Sequence, residues 1–189
     1  FTVQDIEYHG PDASRVGTVL LNGVEWYASA PGAYDGGTFL RVRVYDAPTF
    51  GFLMAADPAH KGSYSASNWL FDQCVANNAG VTSAKAGFLY TNYGCGFDFF
   101  EGFGSSDPIS NIRVVDSTAN GNFDDGFHSE WKMNVVSMTY ENCEASNNGV
   151  GHYYQGHSDD PVQGVLQGVG FYDGGQNPGN TKFINCAGT

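Results

Sequence analysis

The chain of 189 residues is long enough for one domain with a substantial buried core. It carries a formal net charge of −12 and only eight lysines and arginines, so it lacks the basic footprint that nucleic acids and anionic lipids require. No stretch of about 18 consecutive apolar residues is present, which argues against insertion into a membrane.

Glycine occurs 26 times, and asparagine recurs in short clusters such as Asn77-Asn78 and Asn147-Asn148. Gly, Asn, Ser and Asp destabilise helix interiors and favour turns. No segment shows the sustained apolar period of an amphipathic helix. The composition therefore predicts an all-β protein.

A repeat organises the chain from end to end. Each copy has a large apolar residue followed three positions later by a small or apolar one, with a polar residue just before the second. The five good copies are Val3–Ile6, Phe71–Cys74, Val114–Ser117, Tyr140–Cys143 and Phe183–Cys186, and Arg41–Val44 fits less well. A second block begins at a glycine and continues as a strand-like run, at Gly17, Gly51, Gly87, Gly126 and Gly151. The shortest interval, 26 residues from Ser117 to Cys143, suits one turn of a three-stranded coil.

This repeat predicts a right-handed parallel β-helix of about five coils, with residues 1–189 as a single domain. One coil cannot bury its apolar side alone, so stacked neighbours complete the core and pair each other's backbones. Strand-like runs at both termini lead us to expect further coils beyond them. The Asn and Asp residues at the bend are expected to stack into a side-chain ladder. The alternative fold is a β-sandwich, which would show hairpin turns at short, regular spacing.

The cysteines read as core residues in this register. Cys74, Cys143 and Cys186 share one inward column, and Cys95 lies outside it. Directly stacked parallel strands strain the geometry of a disulfide, and no zinc-type spacing is present along the sequence. We therefore expect free thiols.

Long insertions follow the glycine blocks at 22–37, 56–67, 92–110 and 156–179. Stacking is expected to gather them along one side, where they border a groove on the outward face of the glycine-block sheet. They carry many aromatic rings interleaved with carboxylates, Asp98 and Glu101 among them, a combination that suits sugar rings. The alternative is that these aromatics form a satellite core or an oligomer interface.

Strand alternation points His128 and Glu130 outward on this face, beside Tyr153. An ionisable pair in a partly apolar strip is a candidate for acid–base catalysis, and a plain surface hydrogen bond is the alternative. Asp124 and Asp125, at the turn before this strand, are candidate oxygen ligands for Ca²⁺, with a solvated turn as the alternative.

The alternation of Asn-Cys-x-Ala-x-Asn-Asn-Gly with Gly-Phe strands resembles the right-handed β-helices of the pectate-lyase-like superfamily, and among them the alginate C5-epimerases and polysaccharide lyases. Those epimerases carry an Asp-Pro-His-Glu motif on a Gly-Phe strand. Here Asp57-Pro-Ala-His60 follows Gly51-Phe52 with an inserted alanine, so the resemblance implies Asp57 and His60 as catalytic candidates. A base would remove the sugar C5 proton, and Lys61 or Lys132 would neutralise the uronate.

The expected function is recognition or processing of an extracellular or cell-surface polysaccharide by a lyase, epimerase or hydrolase. The residues expected to bind substrate are Tyr90, Trp131, Lys132, Tyr153, Asp98 and Glu101. Hydrolysis by paired carboxylates tolerates the acidic groove better than the other two reactions. The alternative is a non-catalytic structural or adhesive β-helix that associates with itself through its coil ends or its loop-bearing face.

Overall fold

The computed structural model describes residues 1–10, 22–81, 94–129, 133–149, 170–174 and 180–188. The elements whose whole span is described are eighteen β-strands and one 3-10 helix, Pro58–His60. In the described part of the chain, no helix is long and apolar enough to cross a membrane.

The strands form three parallel sheets. The first contains β1 (Thr2–Gln4), β4 (Gly32–Leu40), β7 (Tyr64–Asp72), β10 (Pro108–Val115), β14 (Met138–Glu141) and β17 (Thr181–Ile184), with β13 (Asn134–Val135) paired to β10. The second contains β2 (Glu7–His9), β5 (Arg43–Tyr45), β8 (Val75–Asn77), β11 (Thr118–Asn120), β15 (Glu144–Ser146) and β18 (Ala187–Gly188). The third contains β3 (Val24–Ala28), β6 (Phe52–Ala56), β9 (Phe97–Glu101), β12 (Phe127–Ser129) and β16 (Phe171–Asp173).

Successive strands pass from one sheet to the next, so each coil gives one strand to each sheet. Coil one is β1–β3, coil two β4–β6, coil three β7–β9, coil four β10–β12, coil five β14–β16, and β17 and β18 belong to a sixth. The fold is a right-handed parallel β-helix, as the repeat predicted.

The bend between the first and second sheets explains the polar residue of the repeat. One residue of each coil adopts the left-handed conformation there, with φ between 49° and 55°: Asp5, Arg41, Gln73, Asp116, Asn142 and Asn185. Asn and Asp tolerate this conformation better than other residues with a Cβ. The register at Val44 was wrong, because Val42 follows the bend and Val44 pairs with Ala76. The bend residue of coil two is Arg41, whereas the other coils have Asp, Gln or Asn there, so the sequence pattern did not identify Val42 as the equivalent residue.

Polar side chains stack along the helix axis, as expected. The Asn142 amide donates to Asp116 at 2.9 Å, and the Asn185 amide donates to Asn142 at 3.3 Å. The ladder prediction is confirmed at this bend.

The core consists of aromatic stacks that run along the axis. Rings of the third sheet stack face to face in the order Phe52, Phe97, Phe127 and Phe171, with centroids 4.5, 4.8 and 5.0 Å apart. The first sheet presents Phe39, Phe71 and Tyr140 against them, mainly edge to face. Cys74 and Cys143 are buried, and all four cysteines are free thiols, which confirms that prediction.

Two of the five predicted glycine blocks coincide with described strands of the third sheet. Gly51 and Gly126 do begin strands of the third sheet, but the other three strands follow Gly23, Gly96 and Gly170. The predicted blocks at 17, 87 and 151 lie outside the described residues. The longest connections therefore lie between second-sheet and third-sheet strands, so they precede the third-sheet strands instead of following them. Phe97 and Phe99, which were expected in a loop, are core residues of β9. Residues 87–88 and 96–97 are both Gly-Phe, so local pattern could not discriminate between them.

Candidate functional site

The outward face of the third sheet carries one row of aligned side chains. Parallel register pairs Glu25 with Leu53, Leu53 with Asp98, Asp98 with His128, and His128 with Tyr172. The flanking positions of the central strands, such as Phe97 and Phe99 beside Asp98, point into the core. The row therefore runs across all five coils on the surface of the solenoid.

A second row lies at the corner just before these strands. The Gly51 amide donates to the Cys95 carbonyl at 3.0 Å, and the Gly96 amide donates to the Asp125 carbonyl at 2.9 Å. Cys95 and Asp125 thus occupy equivalent positions in coils three and four. The pair Cys95 and Asp98 is stacked on the pair Asp125 and His128, and we call these four residues the corner quartet.

The corner quartet is largely withdrawn from solvent. Cys95 and Asp125 are each 1% exposed, Asp98 is 5% exposed, and the His128 side chain keeps 20% of its surface accessible. His128 Nδ1 lies 2.8 Å from Asp125 Oδ2, and its ring stacks on Tyr172 with centroids 4.7 Å apart. Asp125 and Tyr172 together hold the orientation of the imidazole.

Negative charge is concentrated around the thiol of the corner quartet. Burial raises the pKa of Cys95 well above its ordinary value, and the carboxylates of Asp124, Asp98 and Asp125 raise it further. Both effects disfavour a thiolate, because an anion would sit in a poorly hydrated place beside other anions. The Cys95 thiol is therefore protonated at neutral pH, so it is not a ready nucleophile.

A groove of about 280 Å³ lies next to the corner quartet on the same face. Its polar lining consists of Glu25, Tyr27, Lys61 and Glu101, above an apolar floor of Leu53 and Ala55. Leu53 pairs with Asp98, so the groove and the quartet adjoin. The groove expected on this face is present.

A β-bulge in β9 aims Glu101 into the groove. Phe99 pairs with Met54, but the next residue of β6, Ala55, pairs with Glu101, so Phe100 is an extra residue. Phe100 adopts φ 67° and is buried against Phe103. Without the bulge, strand alternation would place Phe100 on the outside. Bulges often redirect a side chain in this way beside functional sites.

Asp107 fixes the loops that border the groove. Its carboxylate is buried and accepts backbone N–H bonds from Gly62 at 2.9 Å, Tyr64 at 2.8 Å and Gly104 at 2.6 Å. Gly62 follows Lys61 directly, and Gly104 lies just after the strand that carries Glu101. The Asp107 carboxylate thus positions both the loop that carries Lys61 and the loop that follows Glu101.

The structure places the remaining predicted site residues in several environments. Asp57 and His60 lie on the connection between β6 and β7, at the edge of the groove. The Asp57 carboxylate caps the 3-10 helix by accepting from the Ala59 amide at 2.9 Å, and the His60 ring lies 3.9 Å from it. Five predicted residues lie outside the described part of the chain: Tyr90, Glu130, Trp131, Lys132 and Tyr153. The predicted pairing of His128 with Glu130 thus stays a prediction.

Of the predicted metal ligands, Asp125 contacts His128, and Asp124 is a buried neighbour of Cys95. Sequence reasoning missed Cys95, because the coil was aligned on Gly87. A usable signal exists: Cys95-Gly-Phe-Asp98 and Asp125-Gly-Phe-His128 share one pattern, in which a residue of a type that can bind metals stands on each side of Gly-Phe. Glu25 and Tyr27 fall in the predicted insertion 22–37, but sequence reasoning did not place them in one groove with Lys61 and Glu101.

Searches with protein-family models, among curated proteins and among solved structures found no match to this chain.

Proposed function

We propose that the outward face of the third sheet binds an extracellular polysaccharide and that the groove hydrolyses it. The observation that carries this proposal is the groove lining, in which two carboxylates, one amine and a tyrosine ring surround an apolar floor. The resemblance to pectate-lyase-like helices, whose members modify polysaccharides, supports the same substrate class.

The groove is suited to a sugar ring. A pyranose has an apolar C–H face and a polar rim, and Tyr27, Leu53 and Ala55 offer apolar surface beside the polar groups of Lys61 and Glu101. The face extends along the solenoid axis, so neighbouring residues of a polymer can occupy successive coils. Solenoids commonly bind extended ligands on such surfaces.

The proposed hydrolysis uses the two carboxylates of the groove as acid and base. Glu25 lies on β3 and Glu101 on β9, two strands apart and offset by two residues along the strand direction, which is about 12 Å at the backbone. Both side chains line the groove, and inverting hydrolysis uses a carboxyl spacing of about 6.5–9.5 Å, which leaves room for a water molecule. Glu101 is half-buried and is assigned as the acid that protonates the glycosidic oxygen. Glu25 is exposed, accepts a 2.8 Å bond from the Asn22 amide, and is assigned as the base that takes a proton from water. Water then adds across the broken C–O bond.

The test is a panel of neutral and acidic polysaccharides assayed for new reducing ends. Glu101→Gln and Glu25→Gln should each lower the rate by about 100-fold or more, the usual contribution of a general acid or base. Glu144→Gln, on the exposed second sheet, is the matched control and should retain full activity. An unsaturated product would show that the groove performs elimination and would overturn the proposed hydrolysis. The absence of turnover on every polymer would also overturn the proposal.

A second candidate function rests on the two outermost described coils. They expose large apolar side chains, namely Phe1 and Ile6 in coil one, and Phe183 and Ile184 in the sixth. Such strand edges favour end-to-end stacking of copies of this chain into a structural rod. Sedimentation at increasing concentration tests this: Phe183→Lys should reduce any association, and a monomer at all concentrations would exclude it.

A further inference from the structure

We propose that three residues of the corner quartet, Cys95, Asp125 and His128, bind a divalent transition-metal ion of the zinc type. This site is separate from the carboxylate groove and does not rest on the proposed hydrolysis.

The geometry brings three ligand atoms together. One donor atom each from Cys95, Asp125 and His128 lie within 4.8 Å of one another. In tetrahedral zinc sites, neighbouring N, O and S ligand atoms lie about 3.3–3.7 Å apart. The most widely separated donor atoms of this group therefore need to approach each other by only about 1 Å to form a three-ligand set. Asp98 is the register neighbour of His128 but is not one of the three clustered donors, so the fourth position is left to a water molecule or another ligand. Coil three contributes Cys95, and coil four contributes Asp125 and His128.

The chemistry of the donors selects the metal. A thiol and an imidazole are soft and borderline ligands that favour zinc and its neighbours, whereas Ca²⁺ prefers a shell of six or more oxygens. The Ca²⁺ site expected at Asp124 and Asp125 is therefore reassigned as a transition-metal site that shares Asp125. The ion takes the place of protons: Cys95 loses its thiol proton, and the hydrogen bond between His128 and Asp125 opens to admit the cation.

The surroundings strengthen the interaction. In coil two the equivalent corner and row positions hold Phe50 and Leu53, and these two side chains form a buried apolar cluster with Cys95 and Ala55. This apolar cluster excludes water. The local dielectric constant is therefore lower, and the attraction between a cation and nearby carboxylates is stronger. Asp124 is also buried beside the thiol and adds negative charge.

Cobalt substitution tests the site directly. Chelator-treated, reduced full-length protein is titrated with Co²⁺, which reports a thiolate ligand by a charge-transfer band in the near ultraviolet. One equivalent should bind, with the band present and with protons released on binding. Zn²⁺ should displace the Co²⁺ and raise the melting temperature, and Ca²⁺ in excess should not displace it.

Variants separate this proposal from simpler explanations. Cys95→Ser should abolish the charge-transfer band, and His128→Ala should weaken Co²⁺ binding by more than about tenfold. Cys74→Ser, a buried core thiol, is the matched control and should leave both unchanged. Melting curves without metal establish that each variant is folded. The proposal is overturned if the intact protein gives no band, or if the band survives in Cys95→Ser.

The result is independent of the groove. Glu101→Gln should bind Co²⁺ normally even if it loses all hydrolysis, and Cys95→Ser should keep the groove intact. The two proposals can therefore fail independently: loss of Co²⁺ binding tests the metal site, and loss of hydrolysis tests the groove.

Discussion

Cys95 and Asp125 occupy the same position in adjacent coils, because the Gly96 amide donates to the Asp125 carbonyl at 2.9 Å. Thirty residues separate them in sequence, yet they are nearest neighbours along the solenoid axis. The same stacking sets Asp98 beside His128. Two short peptide segments, each Gly-Phe with a polar residue on either side, thereby assemble one four-residue cluster.

Gly96 is predicted to be required for this stacking. A Cβ at this position would lie 2.7 Å from the Gly126 carbonyl oxygen and 2.9 Å from the Ala119 Cβ, both closer than real contacts allow. Gly96→Ala should therefore lower the free energy of unfolding by about 1–3 kcal/mol, as overpacked cores do, and should weaken metal binding. Denaturant titration measures the first effect. Gly32→Ala, where the nearest atom is 4.0 Å away, should stay near wild type, and equal losses for both would refute the steric argument.

Asn122 is predicted to be a structural residue at the corner between coils. It is fully buried, accepts a 2.9 Å bond from the Ala79 amide, and donates to the Ala76 carbonyl at 3.1 Å. Asn122→Ala leaves buried backbone groups without partners, at about 1–3 kcal/mol each. Chemical denaturation should show this loss, whereas the exposed Gln4→Ala should change stability by less than about 0.5 kcal/mol. A neutral effect of Asn122→Ala would contradict the assignment.

Asp107 is predicted to link stability with binding in the groove. Asp107→Ala removes the acceptor for three backbone amides, so the loops that carry Lys61 and follow Glu101 should lose their positions. Glycan affinity should fall together with melting temperature, as measured by calorimetry. Asp72→Ala, on the outward side of the first sheet, serves as the comparison. Affinity that survives a clear loss of stability would show that these loops do not shape the groove.

The core thiols are predicted to make stability fall at alkaline pH. Burial raises the pKa of Cys74 to about 11 and that of Cys143 to about 12, above the ordinary value of 9.0. Their contribution is fully present below pH 9 and is lost as the pH rises through the native values, because the unfolded thiols ionise first. The unfolding free energy of wild type should therefore decline more steeply between pH 9 and 11 than that of Cys74→Ala. Parallel declines would show that Cys74 does not titrate differently on folding.

Part of this structure followed from local pattern. Large apolar residues at fixed spacing, small residues three positions after the bend, and Asn or Asp at the bend were enough to predict the parallel β-helix, the inward cysteines and the polar ladder. Each depends on a property that a short segment carries by itself: alternation along a strand, tolerance of the left-handed conformation, or side-chain volume.

Tertiary stacking decided the site. The segments 87–88 and 96–97 are both Gly-Phe, and the pairing of Phe97 with Phe52 and Phe127 identifies the second as the strand of coil three. That choice moves Cys95 from a loop to the corner row. The bulge at Phe100 then turns Glu101 outward, an inversion that simple alternation cannot predict. Sequence periodicity determined that this chain is a solenoid, because each coil repeats the same local requirements. Which side chains meet on its surface was decided by the register between coils, which depends on contacts between residues far apart in sequence.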